Sequence, residues 1–354
     1  MTTNKSPAER GYRWPAEWEP HAATWLVWPH APDTWPGAGR LARVEKAYVA
    51  MVAALYGREH VRILVENEAR EARARAALVD AGIDPDRNLD FIRIETDDSW
   101  VRDCGPIFLK HSSTGARLAL DFKFDSWGGK YPPWERDDAL AQAAADYVDV
   151  ESLRIDAVLE GGAVDGNGAG CVLTTEQCLR NANRGDVRGK HRTRGNVEEL
   201  LGDALGAEQV LWLGEGIVGD DTDGHVDDIA RFIDRHTVVA VVEPNTSDAN
   251  HARLADNRAR LANMRALDGK PLDVIELPMP PPLFEDGERL PASYANFLLA
   301  NGCALVPVFD VPSDERALAV LGECLTGRQV VPIPASDLVV GLGAVHCLSQ
   351  QEPA

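Results

Sequence analysis

Strand-like and helix-like stretches alternate along the whole chain, and this alternation restricts the possible folds more than any other feature. Apolar residues at helical spacing over 38–57 (Leu41, Val44, Tyr48, Met51, Val52, Leu55) lead into the strand-like Val61-Arg62-Ile63-Leu64-Val65, and an Ala/Arg/Glu-rich helix follows. Further strands are predicted at Leu89 to Ile94, Leu118 to Phe124, Cys171 to Thr174, Val210 to Leu213, Val238 to Val242, Val274 to Leu277, Leu305 to Val308 and Val330 to Ile333. Helices are predicted near 136–149, 196–205, 248–265 and 313–325. This is the pattern of an α/β protein. The elements return at intervals of roughly 60–70 residues, which points to a repeated α/β module rather than two unlike domains. Pro278-Met279-Pro280-Pro281-Pro282 and the Arg/Gly/Asn-rich segment 183–196 are predicted loops. No low-complexity linker divides the chain, so one domain over 1–354 is expected, with residues 1–12 as a flexible tail.

Hydrophobic residues make up 45% of the 354, enough for a large core. A formal net charge of -20 argues against a nucleic-acid groove and favours small cations by long-range steering. The longest apolar runs, Thr237 to Val242 and Ala304 to Phe309, are too short to span a bilayer. No apolar signal segment follows the polar start Met1 to Arg13, so a cytoplasmic protein without membrane contact is expected. The six cysteines, at 104, 171, 178, 303, 324 and 347, form no C-x-x-C pair, and neither a disulfide framework nor a structural zinc site is expected.

The residues able to do chemistry concentrate at a few points. Asp220-Asp221-Thr222-Asp223-Gly224-His225-Val226-Asp227-Asp228 sets five carboxylates around one histidine. If 225–229 is extended, strand alternation sends His225 and Asp227 to one face and Val226 to the other, so that a base and an acid share a pocket. A calcium loop does not fit, because placing Gly224 at the sixth position puts Gly219 at the first and Ala230 at the twelfth. No H-x-x-x-H pattern or cysteine partner stands near to complete a transition-metal site. A solvated acidic turn accounts for Asp220, Asp221 and Asp223, with Asp228 as a cap, but leaves His225 and Asp227 unexplained.

Asp97-Asp98-Ser99-Trp100-Val101-Arg102-Asp103 follows the strand ending near Ile94. As a surface turn it holds an Arg-Asp pair. As a binding site, its tryptophan and carboxylates wall in a flat cation such as a guanidinium, by cation–π contact and hydrogen bonds. Glu160-Gly161-Gly162 places an acid where glycines let a ligand approach the backbone. Gly166-Asn167-Gly168-Ala169-Gly170 reads as a hairpin turn, not a dinucleotide fingerprint, since Cys171 occupies the place of the last glycine. Gly341-Leu342-Gly343-Ala344-Val345-His346-Cys347 leads into a lone cysteine. Such a residue is usually a small buried hydrophobe. If it is a nucleophile on a strand, His346 points to the opposite face, which leaves His225 as the natural base. Cys104, beside Asp103, is the one other cysteine near a candidate site, and the rest read as core.

Taken together, Trp14-Pro15-Ala16-Glu17-Trp18-Glu19-Pro20-His21, Trp100 to Pro106, Glu160-Gly161-Gly162, Asp220 to Asp228, Pro291-Ala292-Ser293-Tyr294 and His346-Cys347 closely resemble the agmatine deiminases. These belong to the guanidine-modifying superfamily, alongside the Porphyromonas-type peptidylarginine deiminases, and the resemblance runs in order from about residue 12 to residue 353. It implies a pentein fold, a five-bladed α/β propeller with fivefold pseudosymmetry and a site on its axis. Carried over by position, the nucleophile falls on Cys347, the general acid/base on His225, and the guanidinium-holding carboxylates on Asp103 and Asp227. Trp100, Glu160, Asp221 and Asp97 fall to the substrate pocket. The implied reaction is hydrolysis of agmatine to N-carbamoylputrescine and ammonia through an amidino-cysteine intermediate, without metal or organic cofactor. The implied partner is a small cationic guanidino compound, and the implied assembly is a homo-oligomer, dimer or larger. Free or peptidyl arginine as substrate, or an inactive pentein that binds cationic metabolites, is the alternative. The family's Gly-Gly-Gly-Asn-Ile run is here Gly341-Leu342-Gly343-Ala344-Val345. That departure bears on the amine end of the substrate, as do the loops at Trp127-Gly128-Gly129 and Asn183 to Arg194.

Overall fold

Continuous apolar runs form strands that can be buried on both faces. In the computed structural model, which describes residues 5–354, His21–Val27, Thr237–Val242 and Cys303–Val308 are such strands, buried along most of their length. Each is the middle of a sheet, with a short antiparallel neighbour on one side and a parallel neighbour, reached across a helix, on the other. The connecting helices are Arg40–Leu55, His251–Asn263 and Ser313–Cys324.

Two more sheets repeat this connectivity. Arg117–Lys123 lies between antiparallel Ile107–His111 and parallel Glu151–Val158, with Leu140–Tyr147 as the crossover helix. Cys171–Thr175 lies between antiparallel Val164–Gly166 and parallel Gln209–Leu213, with Arg194–Leu205 as the crossover helix. Among the described residues there are thus five sheets of one design, plus the small hairpin Phe284–Glu285/Glu288–Arg289, and no sheet closes on itself. The two ends of the chain meet in one sheet, where Ser349–Pro353 pairs with His21–Val27.

Helix Arg40–Leu55 buries Val44, Tyr48, Met51, Val52 and Leu55 against its sheet, the face its spacing predicts. Full burial of such side chains contributes about 1.5–3 kcal/mol each. Helix Arg194–Leu205 begins where the Thr193 side chain accepts from Asn196 N and ends at left-handed Gly206. The larger part of the core draws on all five of these sheets, while Leu118, Leu120, Leu200, Leu201 and Trp212 belong to a second cluster. Among the described residues no helix is long and apolar enough to cross a membrane.

The strands and helices predicted from the sequence are present and residues 166–170 are the expected hairpin turn, but His21–Val27, Ile107–His111 and Glu151–Val158 are strands beyond those predicted. Two segments differ. Residues 225–229 are not extended: Val226–Asp228 is a 3-10 turn, and the strand begins only at Ala230. The cause is Asp220, whose carboxylate accepts from Thr222 N, Gly224 N and His225 N and curls the acidic run into a compact loop. Within the expected tail, residues 1–4 lie outside the described residues. Ala8–Arg10 form a turn, Tyr12–Arg13 pair with Ile107–His111, and Arg10 bonds to Glu151 at 2.7 Å.

The short antiparallel strands matter because of what immediately precedes each one. Val101–Cys104 leads into Ile107–His111, Gly161–Ala163 into Val164–Gly166, Val226–Asp228 into Ala230–Phe232, Ser293 to Asn296 into Leu298–Ala300, and the turn at 345–348 into Ser349–Pro353. These five junctions converge on one place.

Candidate active site

Four junctions deliver polar side chains to a common point, and the second delivers backbone. From the first, Asp103 accepts Gly162 N at Oδ1 (2.9 Å) and Trp127 Nε1 at Oδ2 (3.0 Å), and its Oδ1 lies 3.7 Å from His225 Nδ1. From the third, Asp227 accepts His346 Nδ1 at Oδ2 (2.7 Å), while its Oδ1 has no partner. From the fifth, the Cys347 thiol faces Asp227 Oδ2 at 3.7 Å. From the fourth, Asn296 donates from Nδ2 to Cys347 Sγ at 3.0 Å and accepts the backbone N–H groups of His346 and Cys347 at Oδ1. The second supplies Gly162, where the close approach leaves no room for a side chain. An added Cβ would sit 2.6 Å from His225 Nδ1, 2.9 Å from Asp103 Oδ1 and 3.1 Å from Asp227 Oδ2. Gly162→Ala is therefore expected to displace the imidazole and lower kcat/KM by about tenfold or more. Thermal unfolding and steady-state assays check this together, because crowding of this kind costs about 1–3 kcal/mol of stability.

A cavity of about 680 Å³ opens onto this group. Cys347, Asp103, Trp100, Asp97 and Asp221 line it, as expected from the sequence, and Trp127, Tyr131, Leu342 and Gly343 complete the nearby wall. The Trp100 indole is fixed by a bond from Nε1 to Asp98 Oδ2 at 3.0 Å. Asp221 accepts Tyr131 OH at 2.5 Å, and Asp97 accepts Arg136 N at 2.9 Å. His225 and Asp227 are fully buried against the lining residues. Glu160, like His225 and Asp227, stands behind the cavity wall. Buried Arg184 takes its Oε1 at 2.7 Å, and a carboxylate oxygen of Glu160 lies within 4.8 Å of a His225 ring nitrogen. Cys104 also lies off the wall, its thiol directed to Trp100 O at 3.3 Å.

His346 is in a turn rather than a strand, yet it still faces away from the cavity, its Nδ1 2.7 Å from Asp227 Oδ2 and its Nε2 2.7 Å from Glu17 Oε2. The acidic run is not a solvated turn: Asp228 is buried, and Asp223 is paired with Lys130, Arg184 and Asn183. Asn183 and Trp127 thereby bring both loops named from the sequence to the site. Sequence reasoning missed Asn296 and Cys178. The Pro291-to-Tyr294 motif lies just before Asn296, but nothing in Cys178 itself distinguishes it from a core residue.

Burial and charge oppose one another throughout the site. Burial lowers the His225 pKa, but Asp103, Cys178 and Glu160 outweigh it and hold the ring well above the ordinary histidine range. Burial raises Asp103, and the neighbouring Asp227 and Glu160 add to the effect. Burial also raises Asp227, but the His346 hydrogen bond and charge bring it below the usual carboxylate value. The Cys347 thiol is pushed well above its ordinary value by burial first, then by Asp227, Asp228 and Asp103. The group combines a thiol, an imidazole that favours its charged form, and two buried carboxylates whose charged form an added cation would favour.

The sequence profile of the Porphyromonas-type peptidyl-arginine deiminase family matches residues 13–353. The chain belongs to that family. Among its relatives, the agmatine deiminase of Ectopseudomonas mendocina (strain ymp) is 35% identical, with 100% of this chain and 99% of that protein covered. Among solved structures, the agmatine deiminase of Enterococcus faecalis catalysing its reaction superposes with a TM-score of 0.91 at 31% identity, covering 100% of this chain and 98% of that one. A Cys-to-Ser variant of the C. jejuni agmatine deiminase with substrate bound superposes with a TM-score of 0.85 at 28% identity, covering 97% of this chain and 96% of that one. The glycine-rich run before Cys347 contains one strained residue. Leu342 adopts a left-handed conformation with φ of 71°, which costs a non-glycine residue about 1–2 kcal/mol.

Proposed function

We propose that this member of the family hydrolyses agmatine to N-carbamoylputrescine and ammonia, with Cys347 as nucleophile, His225 as acid and base, and Asp103 and Asp227 as the guanidinium clamp. The observation that carries this reading is the convergence of a thiol, an imidazole and two buried carboxylates at one cavity, with Asp227 Oδ1 unpartnered. The likeness to named agmatine deiminases over the whole chain supports the choice of substrate. The five sheets of one connectivity and the pairing of the two chain ends support a pentein arrangement, five modules around a central axis with one junction contributed by each. On the same reading the enzyme is homo-oligomeric, as the resemblance implies, and acts in the cytoplasm, where an arginine-derived metabolite is met.

A guanidinium resists water because its charge is delocalised over three nitrogens. The clamp holds its plane by charge-assisted N–H bonds, and the bound cation offsets the carboxylates that oppose ionisation of Cys347. The thiol proton leaves to solvent, and the thiolate attacks the central carbon to form a C–S bond. Protonated His225 delivers its proton to one amino group, the C–N bond breaks, and ammonia departs. Neutral His225 then takes a proton from water as the hydroxide adds to the amidino-thioether. Collapse breaks the C–S bond, returns the thiolate and yields the ureido product, and the hydroxyl proton released on collapse goes to solvent.

The test is an assay for ammonia and ureido product across agmatine, free arginine and blocked arginine peptides. Release only from agmatine supports the reading, and equal or greater turnover of arginine peptides overturns it. Because the resting thiol is held well above its ordinary pKa, iodoacetamide should label Cys347 slowly at neutral pH and faster as pH rises. Mass spectrometry of the labelled peptide checks this. Rapid, pH-independent labelling between pH values of about 6 and 8 would contradict it.

A further inference from the structure

His225 has a second set of neighbours that the proposed reaction does not use. One ligand atom each from Glu160, Cys178 and His225 lies within 4.8 Å of the other two, and all three residues are fully buried. Glu160 Oε2 and both nitrogens of His225 have no hydrogen-bond partner, and buried polar atoms are seldom left so without a ligand or a water. Three separate segments are fixed around this point. Cys178 sits in the turn Glu176–Leu179, capped where the Thr175 side chain accepts Cys178 N at 3.1 Å, Glu160 follows the strand Glu151–Val158, and His225 precedes the 3-10 turn Val226–Asp228.

We propose that Glu160, Cys178 and His225 form an inhibitory site for a divalent cation of the zinc type, behind the wall of the cavity in which the substrate reacts and sharing His225 with it. The proposal rests on His225 being the acid and base, since an imidazole bound to metal cannot move protons. The donor set is one sulfur, one nitrogen and one oxygen, which suits Zn²⁺ or Cd²⁺ and not Mg²⁺ or Ca²⁺, which take oxygen ligands. Tetrahedral zinc holds such ligands about 3.5 Å apart, so modest side-chain shifts close the site. The charge balances: two positive charges enter as the Cys178 thiol and the His225 imidazolium each release a proton to solvent. Arg184 holds Glu160 by Oε1 and leaves Oε2 for the ion.

The test uses the full chain carrying Cys347→Ser, so that the cavity thiol cannot bind metal. Titration with Co²⁺ is expected to give a thiolate-to-cobalt charge-transfer band that saturates at one equivalent. Adding Cys178→Ala should remove the band, and Cys178→Ser serves as the second variant if alanine disturbs folding, as judged by near-ultraviolet circular dichroism. In the chain with Cys347 intact, Zn²⁺ should inhibit ammonia release, and Cys178→Ala should raise the inhibition constant by about tenfold or more. Absence of the band in Cys347→Ser, its persistence without Cys178, or equal zinc sensitivity of both active forms overturns the proposal, and a bound water then accounts for the unpartnered atoms. If cobalt binds as described but the wild-type chain releases no ammonia, the functional reading fails and the metal site stands.

Discussion

Replacing Cys347 by serine is expected to lower ammonia release by roughly 10⁴-fold or more, the scale on which loss of a covalent nucleophile acts, while leaving agmatine bound within about threefold of the wild-type affinity. The oxygen of serine is a far weaker acid than sulfur, and this site opposes any anion at position 347, since burial and then Asp227, Asp228 and Asp103 raise even the thiol well above its ordinary value. A serine alkoxide there is therefore out of reach at neutral pH. Binding should survive, because the clamp does not depend on the sulfur: Asp103 is held by Gly162 N and Trp127 Nε1, and Asp227 by His346. Asn296 also keeps its hold on the turn, since its Oδ1 accepts backbone N–H groups that the substitution does not touch. Calorimetric binding together with single-turnover assays separates the two effects. Substantial turnover by the serine variant would rule out the covalent route, and loss of binding alongside activity would mean that Cys347 holds the site together instead of attacking.

The sequence made the site legible where residue type alone restricts chemistry. A lone cysteine after a glycine run, a histidine among five aspartates and an acid beside a tryptophan are uncommon combinations, and Cys347, His225, Asp103 and Trp100 meet as that reading requires. Asn296 was not legible, because a neutral amide inside an apolar stretch carries no chemical signal until folding brings it to a thiol 51 residues away. Arg184, which holds Glu160, was not legible either, because it lies in a loop whose course local pattern does not determine. The fold shows the same division. Central strands Thr237–Val242 and Cys303–Val308 announce themselves by continuous apolar runs, whereas central His21–Val27 opens on a histidine and carries a threonine, and Ala230–Phe232 is three residues long and contains buried Arg231, paired with Asp165 and Glu17. The turn at Val226–Asp228 was read as extended because its cause, the Asp220 carboxylate, acts on backbone N–H groups two to five residues ahead. Periodicity records which faces are buried, but it does not record which side chain captures the backbone.

Asp227→Asn is expected to lower kcat/KM for agmatine by roughly 10²–10³-fold, because removing one partner of a buried charge pair costs about 3–4 kcal/mol. Asp227 is the acid of the clamp whose Oδ1 has no protein partner, so its charge is the one most available to a guanidinium. The same substitution should move Cys347 in the opposite direction. Asp227 is the largest charge contribution raising the thiol pKa, second only to burial. Without it the pKa falls toward the ordinary cysteine value, the thiolate fraction at neutral pH rises, and iodoacetamide labels Cys347 faster than in the wild type. Weaker turnover with a more reactive thiol is a combination that simple unfolding does not mimic across a pH series, since an unfolded chain exposes all six cysteines and not one. Asp103→Asn should behave differently. Asp103 is the largest charge contribution raising the His225 pKa, and only burial, which acts in the other direction, outweighs it. Its loss therefore lowers the pH at which the imidazole gives up its proton, and the alkaline limb of the kcat profile moves to lower pH. Both variants with unchanged thiol reactivity and unshifted pH profiles would mean that the two carboxylates brace the fold and do not hold the cation.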